Sequence, residues 1–204
     1  MWDGEVVEEV IWEGGNHSSR LARELKRVIT EKSWDFQKLD MVAVSIGPGS
    51  FTGLRIGLSL AKGISWSLGI PLKGIPTYEV IRENFSPPSH PLIIIIPSRK
   101  EEFYFFKWVE GRWEVEGEIV SIDELPRMIE EDSFTLAGEG VPLYQEKLRE
   151  VLRGKRACFP SASQCIPCPS SLASLAEKGE IPSWEEGLSV SPLYLRLPRI
   201  GGRG

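Results

Sequence analysis

Residues 47–53, Gly-Pro-Gly-Ser-Phe-Thr-Gly, are where this chain most readily offers chemistry. A glycine-rich turn between an apolar run and a helix presents free backbone N–H groups where a phosphate can sit, and the Ser50 and Thr52 hydroxyls stand beside them. Two stricter phosphate patterns are not met. The Walker pattern needs a lysine followed by Ser or Thr after its glycines, but Gly53 is followed by Leu54 and Arg55. The dinucleotide pattern G-x-G-x-x-G has Thr52 where its third glycine belongs. Gly49, Ser50 and Thr52 remain as weak anion-site candidates. The plainer reading is a cap, in which Ser50 or Thr52 satisfies the first-turn donors and the glycines permit a tight turn.

Other reactive constellations are sparse. The two histidines, His17 and His90, stand far apart in sequence, and no serine sits in a G-x-S-x-G elbow, so a nucleophile with its base is not apparent. His17, at a helix start, reads as a cap or surface contact. Glu8-Glu9, Glu101-Glu102 and Glu130-Glu131 read as solvated faces. Cys158, Cys165 and Cys168 are an odd number in one late stretch, and the C-x-x-C pair has neither a second pair nor a nearby histidine. No metal site and no cofactor are expected from these spacings. The net charge of -5 argues against a main role in gripping nucleic acid by its phosphates. The aliphatic run Leu92 to Ile96 is too short to span a bilayer, and no charged-then-apolar leader opens the chain, so a cytoplasmic location is expected.

The elements that must hold these residues alternate between strand and helix. Residues 5–12 (EVVEEVIW) and Met41 to Ile46 read as strands, with an amphipathic helix between them over about 18–31. A second helix runs from about Gly53 to Leu68, ending at Gly69. A short strand over Leu72 to Ile75 leads to a helix capped by Thr77 and running to about Asn84. Ser86 to Pro91 (SPPSHP) is a proline-rich link that divides a first lobe, 1–86, from a second, 91–204. The second lobe opens on Leu92 to Ile96 and continues into a hairpin about Glu110-Gly111-Arg112. A helix follows from Ser121 or Asp123 to about Glu131, then a strand at Phe134 to Ala137, a helix at Tyr144 to Leu152, a short helix stopping at Gly179 and an extended end at SPLYLR.

The helix at 53–68 is the most telling of these. Gly53, Gly57 and Ala61 recur every four residues and leave a stripe almost bare of side chains, while most other positions are apolar. A helix apolar nearly all round is buried on more than one side. Trp66 shares a face with Arg55, Ser59 and Lys62, an aromatic and cationic mixture common at interfaces. This nominates Gly57, Leu58, Ala61, Lys62 and Trp66 as a partner-binding face; a merely solvated face is the alternative.

Residues 41–81, MVAVSIGPGSFTGLRIGLSLAKGISWSLGIPLKGIPTYEVI, resemble the signature region of the TsaB (YeaZ) family of bacterial tRNA threonylcarbamoyladenosine (t6A) biosynthesis proteins. His17-Ser18, Arg99 and PLYLR at 192–196 resemble further family features. The resemblance implies an α/β fold of two ribonuclease-H-like lobes, as in the actin-like ATPase superfamily. It also implies a non-catalytic subunit that pairs with the related TsaD, which transfers threonylcarbamoyl to adenosine 37 of tRNA. The ATPase TsaE joins that complex, and TsaC or a relative supplies threonylcarbamoyl-AMP. The first two helices of the first lobe would pack on the partner's equivalent pair or on a second copy of the chain, which adds Leu21 and Leu25 of the first helix to the partner face. The chain's acidity suggests that tRNA is reached only indirectly. Peptidase-like or nucleotide-hydrolysing enzymes are the alternative class. One departure stands out: family members open with a strand carrying an acidic D-T-S or D-T-A segment, and this sequence starts at about the hairpin turn that follows it. The first lobe is therefore expected to lack its first strand. The expectation drawn from this is a start codon placed too late, with an upstream-extended form the more stable.

Overall fold

The structure is a computed structural model that describes residues 6, 8–10, 17–86, 88 and 90–196. The strand expected over 5–12 lies largely outside that range, and residues 6 and 8–10 carry no strand. Glu8 approaches Lys32 at 3.0 Å.

The first lobe begins with α1 (His17–Glu31), whose Arg27 bonds Glu24 at 2.8 Å and also pairs with Glu31. After a 3-10 turn at Phe36–Lys38 come β1 (Val42–Gly47), α2 (Phe51–Leu68), β2 (Leu72–Pro76) and α3 (Thr77–Glu83). β1 and β2 pair in parallel, Val42 opposite Leu72 through Ser45 opposite Ile75. The long helix between them is the connection a parallel pair requires. α2 starts at Phe51, two residues before the expected Gly53, with the Ser50 side chain accepting from the Gly53 N–H at 3.2 Å, and it ends as expected on left-handed Gly69. Thr77, in contrast, does not cap α3. Its buried hydroxyl pairs with that of Ser45 at 2.7 Å, so it serves the β1–α3 contact instead.

The second lobe is a five-stranded sheet ordered β5-β4-β3-β6-β7. Its strands are β3 (Leu92–Arg99), β4 (Glu102–Val109), β5 (Arg112–Ser121), β6 (Ser133–Ala137) and β7 (Arg156–Cys158). Period-2 alternation sorts the continuous aliphatic run of β3 onto two faces. Ile93 and Ile95 join Phe103, Phe105, Phe134 and Leu136 on one face, under α4 (Leu125–Met128) and α5 (Gly140–Val151). Leu92, Ile94 and Ile96 pack with Phe106 and with Ile81 of α3 on the other, which joins the lobes. Each such side chain, fully removed from water, contributes about 1.5–3 kcal/mol. The helix expected to reach Glu131 is shorter, because Pro126 sits at its start and Ile129 is already extended. α5 begins before Tyr144, where a kink interrupts it.

The chain then returns to the first lobe. α6 (Pro169–Glu177) packs Ala176 against Ile75 and Val80, and Lys73 donates to the Ala176 carbonyl at 3.0 Å. Asn84 bonds the carbonyls of Gln164 and Ile166 at 3.0 and 2.8 Å and accepts from the Ser171 hydroxyl at 2.6 Å. α7 (Trp184–Leu188), opened by a Ser183–Glu186 capping box, lies on α2 and β2. The last described residues, 190–196, form no strand.

Candidate functional site

The carboxyl ends of β1, β3 and β6 meet at a cleft of about 550 Å³ between the lobes. In open α/β sheets that end is where ligands sit, because the loops there can converge without blocking the sheet. From the first lobe come Gly49, Ser50 and Phe51; Ser98, Arg99 and Glu139 face them, and Tyr194 and Arg196 close one side. The anion candidates therefore separate. Gly49 and Ser50 line the cleft, whereas Thr52 is exposed on α2 and is not part of its wall. The Ser50 hydroxyl serves as the cap of α2.

Glu139 and Ser98 are the cleft residues that sequence reasoning missed. Burial pushes the Glu139 carboxyl above the usual carboxylate range. The Ser98 hydroxyl oxygen is buried without a hydrogen-bond partner. The available signal was positional: Ser98 lies at the carboxyl end of β3 and Glu139 two residues past the end of β6, where the strand ends converge. Arg99 is exposed at the mouth, and Arg196 is held by Glu102 at 2.7 Å. Arg55 lies 3.9 Å from the Phe51 ring centroid and donates from Nε to the Tyr194 hydroxyl at 3.1 Å.

The helix face nominated for a partner divides into an inner and an outer part. Leu58 (6% exposed) and Ala61 (5%) lie in the lobe's own core with Leu72, Val42, Val44 and Val190. Gly57 is turned the same way, since a Cβ there would meet Val44 at 3.9 Å. These residues face the sheet because the bare stripe lets α2 lie close to β1. Lys62 is half-buried and Trp66 is 69% exposed, on the outward side with exposed Arg55 and Ser59. Ile56, Leu60 and Ile64 on α2 are only half-buried. On α1, Leu21, Leu25, Val28 and Ile29 are half-buried too, and among its described side chains none is fully buried. Among the described residues, α1 and α2 thus carry an apolar stripe that is only half covered.

The remaining candidates do not assemble. The His17 side chain lies outside the described residues, and His90 lines a separate cavity of about 490 Å³ beside Trp108, over whose ring Arg82 sits at 4.7 Å from the centroid. Cys158, Cys165 and Cys168 are free thiols. Burial raises the Cys165 thiol's pKa, partly offset by a backbone hydrogen bond from Gly138, and burial with nearby Glu9 raises that of Cys168. Among the described residues no three His, Cys, Asp or Glu side chains are grouped to hold a metal, and no helix is long and apolar enough to cross a membrane.

Residues 12–160 match the model of a family described as TsaD: tRNA N6-adenosine threonylcarbamoyltransferase. A protein of Bacillus subtilis named tRNA threonylcarbamoyladenosine biosynthesis protein TsaB is 28% identical over 201 residues, covering 96% of this chain and 86% of that one. A Haemophilus influenzae protein of the same name is 21% identical over 197 residues, covering 88% and 80%. Two solved structures from Pseudomonas aeruginosa share the fold. One, with similarity to peptidase YeaZ, has a TM-score of 0.69 at 22% identity over 89% of this chain and 85% of that chain. The other, YeaZ itself, has a TM-score of 0.66 at 20% identity over 87% and 84%. The α/β fold of the actin-like ATPase type expected from the signature region is thus the fold observed.

Proposed function

The chain belongs to the TsaD family of tRNA N6-adenosine threonylcarbamoyltransferase proteins, and from that premise we propose that it works in t6A formation as a supporting subunit that transfers no group itself. It pairs with a TsaD-like catalytic subunit, a TsaE-like ATPase joins the pair, and tRNA is reached through the partner. A cytoplasmic setting goes with that role. The observation that carries the reading is the α1–α2 surface, where Leu21, Leu25, Ile56, Leu60 and Ile64 are half-buried and Trp66 is exposed.

The test is co-purification with the TsaD-like subunit after Trp66→Glu and Leu25→Glu. Both positions reach solvent, so the chain should stay folded by circular dichroism while the heterodimer is lost. A heterodimer that survives both substitutions overturns the interface. One observation favours a second reading, a nucleotide-hydrolysing enzyme: the partly buried Glu139 carboxyl shares a cleft with Arg99. Hydrolysis by the purified chain alone, abolished by Glu139→Gln, would establish that reading instead.

A further inference from the structure

The last described residues run along a series of notches made by glycines. Val190 lies over Gly74 of β2, where an added Cβ would come within 2.6 Å of Val190 Cγ1. The Leu193 carbonyl oxygen lies 3.0 Å from the place a Gly47 Cβ would take, and the Leu193 N–H donates to the Ile46 carbonyl at 2.7 Å. Tyr194 then turns to α2. Its ring centroid is 5.5 Å from that of Phe51, and its hydroxyl accepts from Arg55.

The next two residues grip the other lobe. Leu195 lies against Gly117 of β5, where a Cβ would fall 2.6 Å from Leu195 Cδ1. Gly117 has φ +78 and is the extra residue of a bulge, since Glu116 and Glu118 pair with the adjacent Phe106 and Phe105. A bulge re-aims a strand locally, and a positive φ without a side chain is what glycine permits. Here the bulge makes the seat for Leu195. Arg196 follows with its bond to Glu102 of β4 at 2.7 Å. One short segment thus holds both lobes, through apolar, backbone, aromatic and ionic contacts in turn, and Leu193, Tyr194 and Arg196 form a wall of the cleft.

We propose that residues 190–196 are an interlobe strap that sets the width of the cleft. Seated, it ties the turn before α2 to the β4–β5 hairpin; released, it lets the two sides of the cleft part. The strap does not depend on what the cleft is used for.

Hydrogen exchange on the full chain tests this. Glu102→Gln removes the Arg196 anchor on the second lobe and touches nothing on α2. The pair is half-exposed, so the effect is modest. The amides of residues 54–58, in the first lobe, should exchange about threefold faster. Those of the buried run 92–96 should not change. Gly117→Ala, which dislodges Leu195 directly, should give the same pattern more strongly. Glu102→Gln combined with Arg196→Gln should do no more than either alone. The strap is overturned if residues 54–58 keep their parent rate in Glu102→Gln and Gly117→Ala. It is equally overturned if exchange rises to the same degree at 92–96, which is general loss of stability and not release of a tie.

Discussion

Glu139 stands at the end of β6 with its carboxyl partly withdrawn from water, and burial is the one cause that raises its pKa. The consequence for stability has a definite sign. Between the ordinary unfolded value of about 4.3 and the raised folded value, the folded state holds the extra proton. Stability from this group is therefore complete below the unfolded value and is lost as pH rises through the folded one. At neutral pH the ionised carboxylate is a burden on the fold. Glu139→Gln should raise the melting temperature at pH 7.5, and the gap between variant and parent should close as the pH is lowered towards 4. Scanning calorimetry across that range decides it; equal melting temperatures at pH 7.5 would mean that the carboxylate is as well solvated folded as unfolded.

At the scale of the element, α2 carries the main functional question. Its sequence is apolar on nearly every side, and periodicity alone could not say which side the parent sheet takes. The structure assigns Leu58, Ala61 and Ser65 inward and Trp66 outward. The difference is measurable. Leu58→Ala empties a packed site beside Leu72 and Val190 and should cost about 2–4 kcal/mol in denaturant unfolding. Trp66→Ala should stay within about 0.5 kcal/mol of the parent, because it removes little that the isolated chain buries. A large loss at Trp66 would show that the outward face belongs to the chain's own core. The ends of α2 were legible in the sequence, because Ser50 and Gly69 act through local geometry that neighbouring residues specify. Thr77 was misread for the opposite reason: its hydroxyl has a partner, Ser45, that only the tertiary fold supplies. The cleft was legible on its first-lobe side, through the glycine turn, and not on its second, where Glu139 and Ser98 carry no motif and are brought there by strand order alone.

For the whole molecule the decisive feature is that residues 169–190 pack back onto the first lobe after the second has been built. A boundary at the proline-rich link suggests two consecutive lobes, yet α6, α7 and Val190 complete the core of the first lobe after the second has been built. The first lobe's sheet among the described residues is two-stranded, and a sheet that small needs cover to persist. Leu72 is fully buried, and Gly187 of α7 lies against it so closely that a Cβ would meet the Leu72 backbone nitrogen at 2.8 Å. The second lobe has its own larger cluster around Ile93, Phe103 and Phe134, to which α7 contributes nothing. Ending the chain after Lys178 should therefore act unequally. Slow-exchanging amides should persist in β3, β4 and β6, while those of β1, β2 and α2 lose their protection, because the lid over Leu72 and the strap at Gly47 both depart. If the truncated chain keeps its protection in β1 and β2, the return of the C-terminal helices is decoration on a self-sufficient lobe. If β3 and β4 lose protection together with β1 and β2, the two lobes are one cooperative unit, and the shared α3–β3 face outweighs the separate cores.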